Sequence, residues 1–240
     1  MLQVPARIAA ESSRKVVIVF DEIQRILEYE SDRAERLLRS VIQKQNQVAY
    51  IFLGSGKHLI QEMFLNQSRP LYRSAGHYPL GPIREAHWKP FIREKFEQAE
   101  KRIRDQVIAE ICDLTEGHPF YTQHLCHALW ERCETGQEVT GDAIKHGVQL
   151  LLARENYTYT ALWEALALNQ RRLLRGLAIE GQQAFPYSAA FAQRYRLGPG
   201  SSVHRAVTSL PARDLIDRED RSLVITDKFF RVWIREREEN

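Results

Sequence analysis

Apolar residues in the first third of the chain form two uninterrupted runs with a stretch of helical periodicity between them. The runs are Val16 to Phe20 and Val48 to Leu53. Because they lack polar alternation, they predict parallel strands that are covered by helices on both faces. The intervening apolar positions keep helical spacing and follow a candidate N-cap, Ser31. Strand, helix and strand in this order predict a right-handed βαβ unit.

After Pro82 the patterns become helical. Residues 86–101 and 107–114 each carry an apolar stripe. Gly117 and Pro119 then encode a tight turn between helices, because glycine adopts the left-handed conformation and proline starts a helix. From about Tyr159, three helical segments precede a strand, a polar turn and a second strand over residues 215–225. That order predicts a winged-helix domain at the end of the chain.

Polar side chains stand where both predicted strands end. Asp21 and Glu22 follow the first strand, and Ser55 follows the second. Carboxyl ends of parallel strands share one edge of a sheet, so we expect these three residues to lie together. A nucleoside triphosphatase needs two acids there, one for hydrated Mg²⁺ and one to polarise the attacking water. Equally compatible with the residues alone are acids at a solvated helix N-terminus and a serine opening a turn.

The segment from Gly54 to His58 reads Gly-Ser-Gly-Lys-His and is similar to the end of a phosphate-binding loop. The match fails at two positions. A glycine is required where Ile51 stands, and a serine or threonine where His58 stands. No GxxxxGK[ST] occurs anywhere in the 240 residues. A glycine-rich turn between a strand and a helix is the more economical interpretation.

Five segments, taken in order, resemble the archaeal-type ATPases, a family in the STAND branch of the AAA-related P-loop ATPases. They are the strand ending in Asp21-Glu22, which is similar to a Walker B motif, the strand before Ser55, residues 69–83, residues 116–120 and residues 224–233. The resemblance implies Mg²⁺ on Asp21, water positioning by Glu22 and a sensor role for Ser55. It also implies a phosphate contact for Arg73 and an adenine pocket lined by Gly117 and Pro119.

The family's first strand and P-loop have no counterpart here, because residues 1–14 are too few to supply them. We therefore expect an α/β fold in which a truncated P-loop ATPase sheet (residues 1–82) is followed by a helical lid (83–155) and a winged-helix domain (156–240). The resemblance implies a switch that responds to ATP and Mg²⁺ in the complete protein. It does not imply autonomous hydrolysis by this chain.

Composition narrows the class of protein only slightly. Hydrophobic residues make up 44% and charged residues 27%, as in ordinary globular chains. No apolar run reaches about 18 residues and the first ten residues lack a signal-peptide core, so we expect a cytoplasmic protein without membrane contact. Three cysteines, an odd number, favour reduced thiols. Zinc is disfavoured because no Cys-x-x-Cys pair occurs.

A different class of function is a winged helix that binds DNA or regulates a partner, with the ATPase part as a relic. Arg205 on the third predicted helix and Arg221 in the predicted wing are the candidate phosphate contacts. The wing also carries Asp217, Glu219 and Asp220. Since these acids offset the cations that drive DNA affinity, we expect weak DNA binding and favour a protein partner for the winged helix.

Overall fold

A computed structural model describes residues 3–219 and 222–239 of the chain. The chain divides into two compact units, Met1–Leu80 and Gly81–Asn240. Each unit has its own buried cluster of apolar side chains. The change of unit lies two residues from the boundary at residue 82 that the sequence predicts.

Unit 1 contains the predicted βαβ arrangement. Its elements are α1 (Val4–Ser12), β1 (Val16–Phe20), a 3-10 helix (Ile23–Glu28), α2 (Arg33–Ile42), β2 (Val48–Phe52) and α3 (Lys57–Leu65). β1 and β2 pair in parallel, from Val16 opposite Val48 to Phe20 opposite Phe52. The crossover helix has Asp32 as its N-cap, so the prediction of Ser31 was wrong by one residue.

The two faces of this sheet differ. On one face the rings of Phe20 and Phe52 stack with centroids 5.7 Å apart, and Phe52 packs on Phe64 of α3. On the other face Val17 and Val19 are each 54% exposed, opposite Ala49 and Ile51. The prediction of strands covered on both faces was therefore wrong for this chain, although the residues have the composition of a fully buried strand.

Among its described residues, unit 2 contains two short 3-10 helices (Gly181–Gln183 and Pro211–Arg213) and, as larger elements, eight α-helices and two small sheets. In chain order they are α4 (Glu85–Glu97), β3 (Arg102–Ile103), α5 (Asp105–Thr115), α6 (Pro119–Arg132), β4 (Glu138–Val139), α7 (Gly141–Glu164), α8 (Leu168–Glu180), α9 (Ala189–Arg194), α10 (Gly200–Ser209), β5 (Ile216–Glu219), β6 (Ser222–Ile225) and α11 (Lys228–Glu239). One apolar cluster runs through the unit from Trp88 to Ile234. β5 and β6 pair antiparallel and follow three helices, which is the predicted winged-helix order.

Helix α7 is 24 residues long and passes through position 155, where the sequence analysis divides lid from winged helix. The two parts thus share a helix.

The cysteines Cys112, Cys126 and Cys133 are free thiols, and burial raises the pKa of Cys112 to about 11 and that of Cys126 to about 12. None of the described helices has both the length and the apolar character that crossing a bilayer requires.

Candidate functional site

Backbone hydrogen bonds join the carboxyl ends of β1 and β2. The Leu53 amide donates to the Phe20 carbonyl at 2.8 Å, and the Ile23 amide donates to the Leu53 carbonyl at 3.0 Å. Residues 21 and 22 are therefore held beside the segment that begins at Gly54. A polar edge on two parallel strands is the location where α/β sheets bind ligands.

The structure brings Glu22 and Ser55 into direct contact. The Ser55 hydroxyl lies 3.0 and 3.2 Å from the two carboxylate oxygens of Glu22. The amide of Gln24 donates to the same carboxylate and lies 3.5 Å from the Ser55 hydroxyl. Glu22 adopts a left-handed backbone conformation with φ of 49°. The expected meeting of the two strand ends is thus observed.

Asp21 is exposed at the same edge, and its Oδ1 accepts a hydrogen bond of 2.9 Å from the Glu22 amide. Hydrogen bonds from Gln24 and Ser55 hold the pKa of Glu22 below its ordinary value. Glu22 is consequently an ionised acceptor at neutral pH. Two carboxylates and a hydroxyl are oxygen donors that suit Mg²⁺, which takes few protein ligands and keeps several waters.

The glycines after β2 do not form a phosphate cradle. A Cβ at Gly54 would lie 2.2 Å from the Gln24 side-chain oxygen, and a Cβ at Gly56 would lie 3.6 Å from Gln24 Cγ. Gly54 therefore makes room for Gln24, whose Oε1 is buried without a hydrogen-bond partner in the described structure. The edge fits a hydrated Mg²⁺, whereas the described residues of unit 1 do not fit the triphosphate of ATP.

Arg73 lies in the same unit, in a left-handed conformation with φ of 52°. Its amide donates to the Phe64 carbonyl at 3.0 Å, and its guanidinium stands 5.1 Å from the centre of the Tyr72 ring. The side chain is exposed. The described contacts place Arg73 beside Tyr72, and its predicted contact with phosphate stays a prediction.

The turn between α5 and α6 has the predicted chemistry. Gly117 has φ of 65°, and Pro119 is the first residue of α6. The Gly117 carbonyl accepts two hydrogen bonds of 3.1 Å, from the Ile83 amide and from the Trp88 indole. A Cβ at Gly117 would lie only 2.3 Å from the Ile83 carbonyl oxygen. The geometry of the turn explains both residues, and their adenine contact stays a prediction.

Several residues that the structure connects to these places have no role that the sequence predicts. Gln24 holds Glu22 and Ser55, and its only sequence signal is its position three residues after Asp21. Glu116 binds Lys228 and Arg231 of α11, at separations of more than 110 residues. No local pattern gives such a pairing.

The winged-helix candidates are only partly described. Arg205 is exposed on α10, near His204 and Thr208. Arg221 lies outside the described residues. The described part of the wing places Asp217 and Arg218 next to each other on β5.

A solved structure of similar architecture is the Walker-type ATPase PabY2304 of Pyrococcus abyssi. It matches with a TM-score of 0.66 and 18% sequence identity, over 96% of this chain and 66% of that one. The fold is therefore an α/β fold like that of P-loop ATPases, followed by helices and a winged helix, as the sequence predicts. The chain spans about two thirds of the length of that ATPase.

A family model described as a probable winged helix domain matches residues 157–236. The Holliday junction branch migration motor RuvB of Thermotoga maritima is a more distant neighbour, with a TM-score of 0.49 and 18% identity over 97% of this chain and 74% of that one. No curated protein matches the sequence.

Proposed function

We propose that this chain is part of a nucleotide-responsive ATPase of the STAND type, carrying the Mg²⁺ and water-activating side chains, the lid and a winged helix. The observation that supports this most strongly is the contact of Glu22 with Ser55 at the shared edge of β1 and β2, beside Asp21. Backbone hydrogen bonds also join the strand ends, so the side-chain contact is additional to the hydrogen bonds of the sheet.

Each residue at this edge has a distinct proposed role. Asp21 is exposed and holds hydrated Mg²⁺, which in the complete protein supplies charge neutralisation at the phosphates. Glu22 orients the attacking water, and Ser55 with Gln24 fixes the direction of the Glu22 carboxylate. Arg73 is the proposed phosphate contact, and Gly117 and Pro119 are the proposed adenine contacts.

We further propose that the phosphate-binding part of the ATPase lies outside these 240 residues. The bare face of the sheet supports this, because parallel strands in α/β proteins are covered on both faces and Val17 and Val19 are not. The absence of any GxxxxGK[ST] in the sequence agrees with it. This chain alone is accordingly not expected to hydrolyse ATP, and it would act as a switch only when completed.

The test compares the 240-residue chain with a longer chain that includes the coding sequence preceding Met1 in its gene. We expect calorimetry to show no micromolar binding of Mg²⁺-ATP by the short chain and clear binding by the long one. In the long chain Glu22→Gln should bind ATP and hydrolyse it at least about tenfold more slowly. Micromolar binding by the short chain would reject the truncation, and unchanged hydrolysis in Glu22→Gln would reject the role of Glu22.

A second candidate is nucleic-acid or protein binding by the winged helix. Lys and Arg outnumber Asp and Glu over residues 157–236, the region that the winged-helix model matches. Arg205 is exposed on α10, the third helix of that order. A fluorescence-anisotropy titration of labelled duplex at two salt concentrations tests it. Under the ATPase proposal we expect a dissociation constant of about 10⁻⁴ M or weaker. Nanomolar, salt-sensitive binding that Arg205→Ala abolishes would favour DNA binding instead.

A further inference from the structure

The carboxylate of Glu116, at the end of α5, is paired with two cations of α11. Lys228 Nζ lies 2.5 Å from Glu116 Oε2, and the Arg231 guanidinium binds Oε1. Arg231 also donates to the Leu114 carbonyl at 3.2 Å. All three charged side chains are at least three-quarters removed from solvent. We call these residues, Glu116, Lys228 and Arg231, the Glu116 junction.

The Glu116 junction offsets an unfavourable placement of cations at the N-terminus of α11. Lys228 is the first residue of that helix, Arg231 lies one turn later, and no acid occupies the first turn. Cations at a helix N-terminus oppose the helix dipole. Asp227 offsets part of this by capping the helix, with Oδ1 accepting from the Phe229 and Phe230 amides at 2.9 Å. Glu116 supplies the remaining counter-charge from a different part of the fold.

The turn between α5 and α6, which contains Glu116, is also hydrogen-bonded to residues at the start of unit 2. The carbonyl of Gly117, next to Glu116, receives the Ile83 amide and the Trp88 indole. Ile83 comes three residues after the point where the chain leaves unit 1. The entry to unit 2 and the helix that closes the winged-helix core thus bind adjacent residues of one turn.

The backbone of this turn is held in an uncommon conformation. Glu116 and Gly117 are consecutive left-handed residues, with φ of 53° and 65°. Glutamate disfavours that region, and Glu116 is held in it both by the backbone hydrogen bonds that end α5 and by the ion pairs of its carboxylate with Lys228 and Arg231. Loss of the two cations would remove one of these two restraints. The carbonyl of Gly117, the next residue, would then be fixed less firmly for its hydrogen bonds with Ile83 and Trp88.

We infer that the Glu116 junction is a conformational coupling point, through which a movement of the chain at Ile83 alters the anchoring of α11 and so the packing of the winged helix. The helix contributes Phe229, Phe230, Trp233 and Ile234 to the core, so a change at its N-terminus reaches the centre of that domain. The inference does not depend on nucleotide binding, because every contact in it lies within unit 2.

Coupling of this kind is reciprocal, which makes it testable from either end. We propose Lys228→Met and Arg231→Met, which change only α11, and hydrogen exchange measured by NMR at the Trp88 indole and the Ile83 amide. The matched control is Arg235→Met, an exposed cation later in the same helix. The amide of Leu151, buried in the middle of α7, reports global unfolding.

Both junction variants should speed exchange at Trp88 and Ile83 by at least about fivefold and leave Leu151 unchanged, while Arg235→Met changes neither. Glu116→Gln should speed exchange at Phe229 and Phe230 in the same way. The inference is wrong if the junction variants loosen only α11 and leave Trp88 and Ile83 protected, since Glu116 would then be a local ion pair. It is also wrong if Leu151 accelerates equally, because the effect would then be general destabilisation.

Discussion

At position 117, both the backbone conformation and the close approach of Ile83 require glycine. Its φ of 65° already disfavours any side chain, and a Cβ would meet the Ile83 carbonyl oxygen at 2.3 Å. Gly136 is a natural control, because its φ is 81° and nothing lies within 4 Å of its Cβ position. We expect Gly117→Ala to lower the free energy of unfolding by about 2 kcal/mol more than Gly136→Ala. Urea denaturation measures both, and equal losses would show that the approach of Ile83 is not tight.

The charge of Glu116 makes a second prediction at the scale of single residues. Burial alone would raise the pKa of Glu116, but the hydrogen bond from Lys228 and the charge of Arg231 outweigh it and hold that pKa below its usual value. An acid whose folded pKa is lowered stabilises the fold above its unfolded pKa, and this contribution disappears as the pH falls through the folded pKa.

Glu116→Gln should therefore lower the free energy of unfolding by about 2 kcal/mol at pH 7, because it leaves two cations poorly paired. The deficit should shrink steadily as the pH falls below about 4.5. Denaturant titrations from pH 7 to pH 3 measure it. Glu180→Gln, which removes the more exposed pair with Arg194, serves as the control and should lose less than about 1 kcal/mol. A deficit for Glu116→Gln that does not vary with pH would contradict the ionic role.

At the scale of elements, the sheet of unit 1 is unusual because one of its faces, which carries Val17 and Val19, is apolar and exposed. Val17→Lys and Val19→Lys should change the free energy of unfolding by less than about 0.5 kcal/mol, since neither side chain is packed. They should also reduce binding of a hydrophobic dye and any self-association of the chain. Leu37→Lys, at an equally exposed position on α2, is the control and should have less effect on both. A large loss of stability in the valine variants would mean that this face is packed after all.

The sequence predicted elements wherever the determining chemistry is local. The two strands, the meeting of Glu22 with Ser55 and the turn at Gly117 and Pro119 all follow from short patterns and from the geometry of parallel strands. The exposed sheet face was missed because an apolar run does not show whether its cover is present. Gln24 was missed because an amide has no distinctive spacing, and Glu116 because its partners lie more than 110 positions away.

At the scale of the molecule, residues 83–155 and the winged helix share one helix and one apolar core. Helix α7 passes through both, and one apolar cluster extends from Trp88 to Ile234. The Glu116 junction adds an ionic tie between the turn after α5 and the last helix. Although the winged-helix family model begins at residue 157, the physical unit begins near Gly81.

This arrangement predicts how fragments will behave. Residues 81–240 should unfold in one cooperative transition, because their core is continuous. Residues 157–240 should lose that transition, because the cut divides α7 and leaves Lys228 and Arg231 without Glu116. It also removes Tyr121 and His124, on which the buried ring of Phe229 packs. Urea titrations followed by near-ultraviolet circular dichroism compare the two fragments, and the full chain is the control. If residues 157–240 kept a transition as stable as that of residues 81–240, the winged helix would be an autonomous domain and its contacts with residues 81–156 would contribute little.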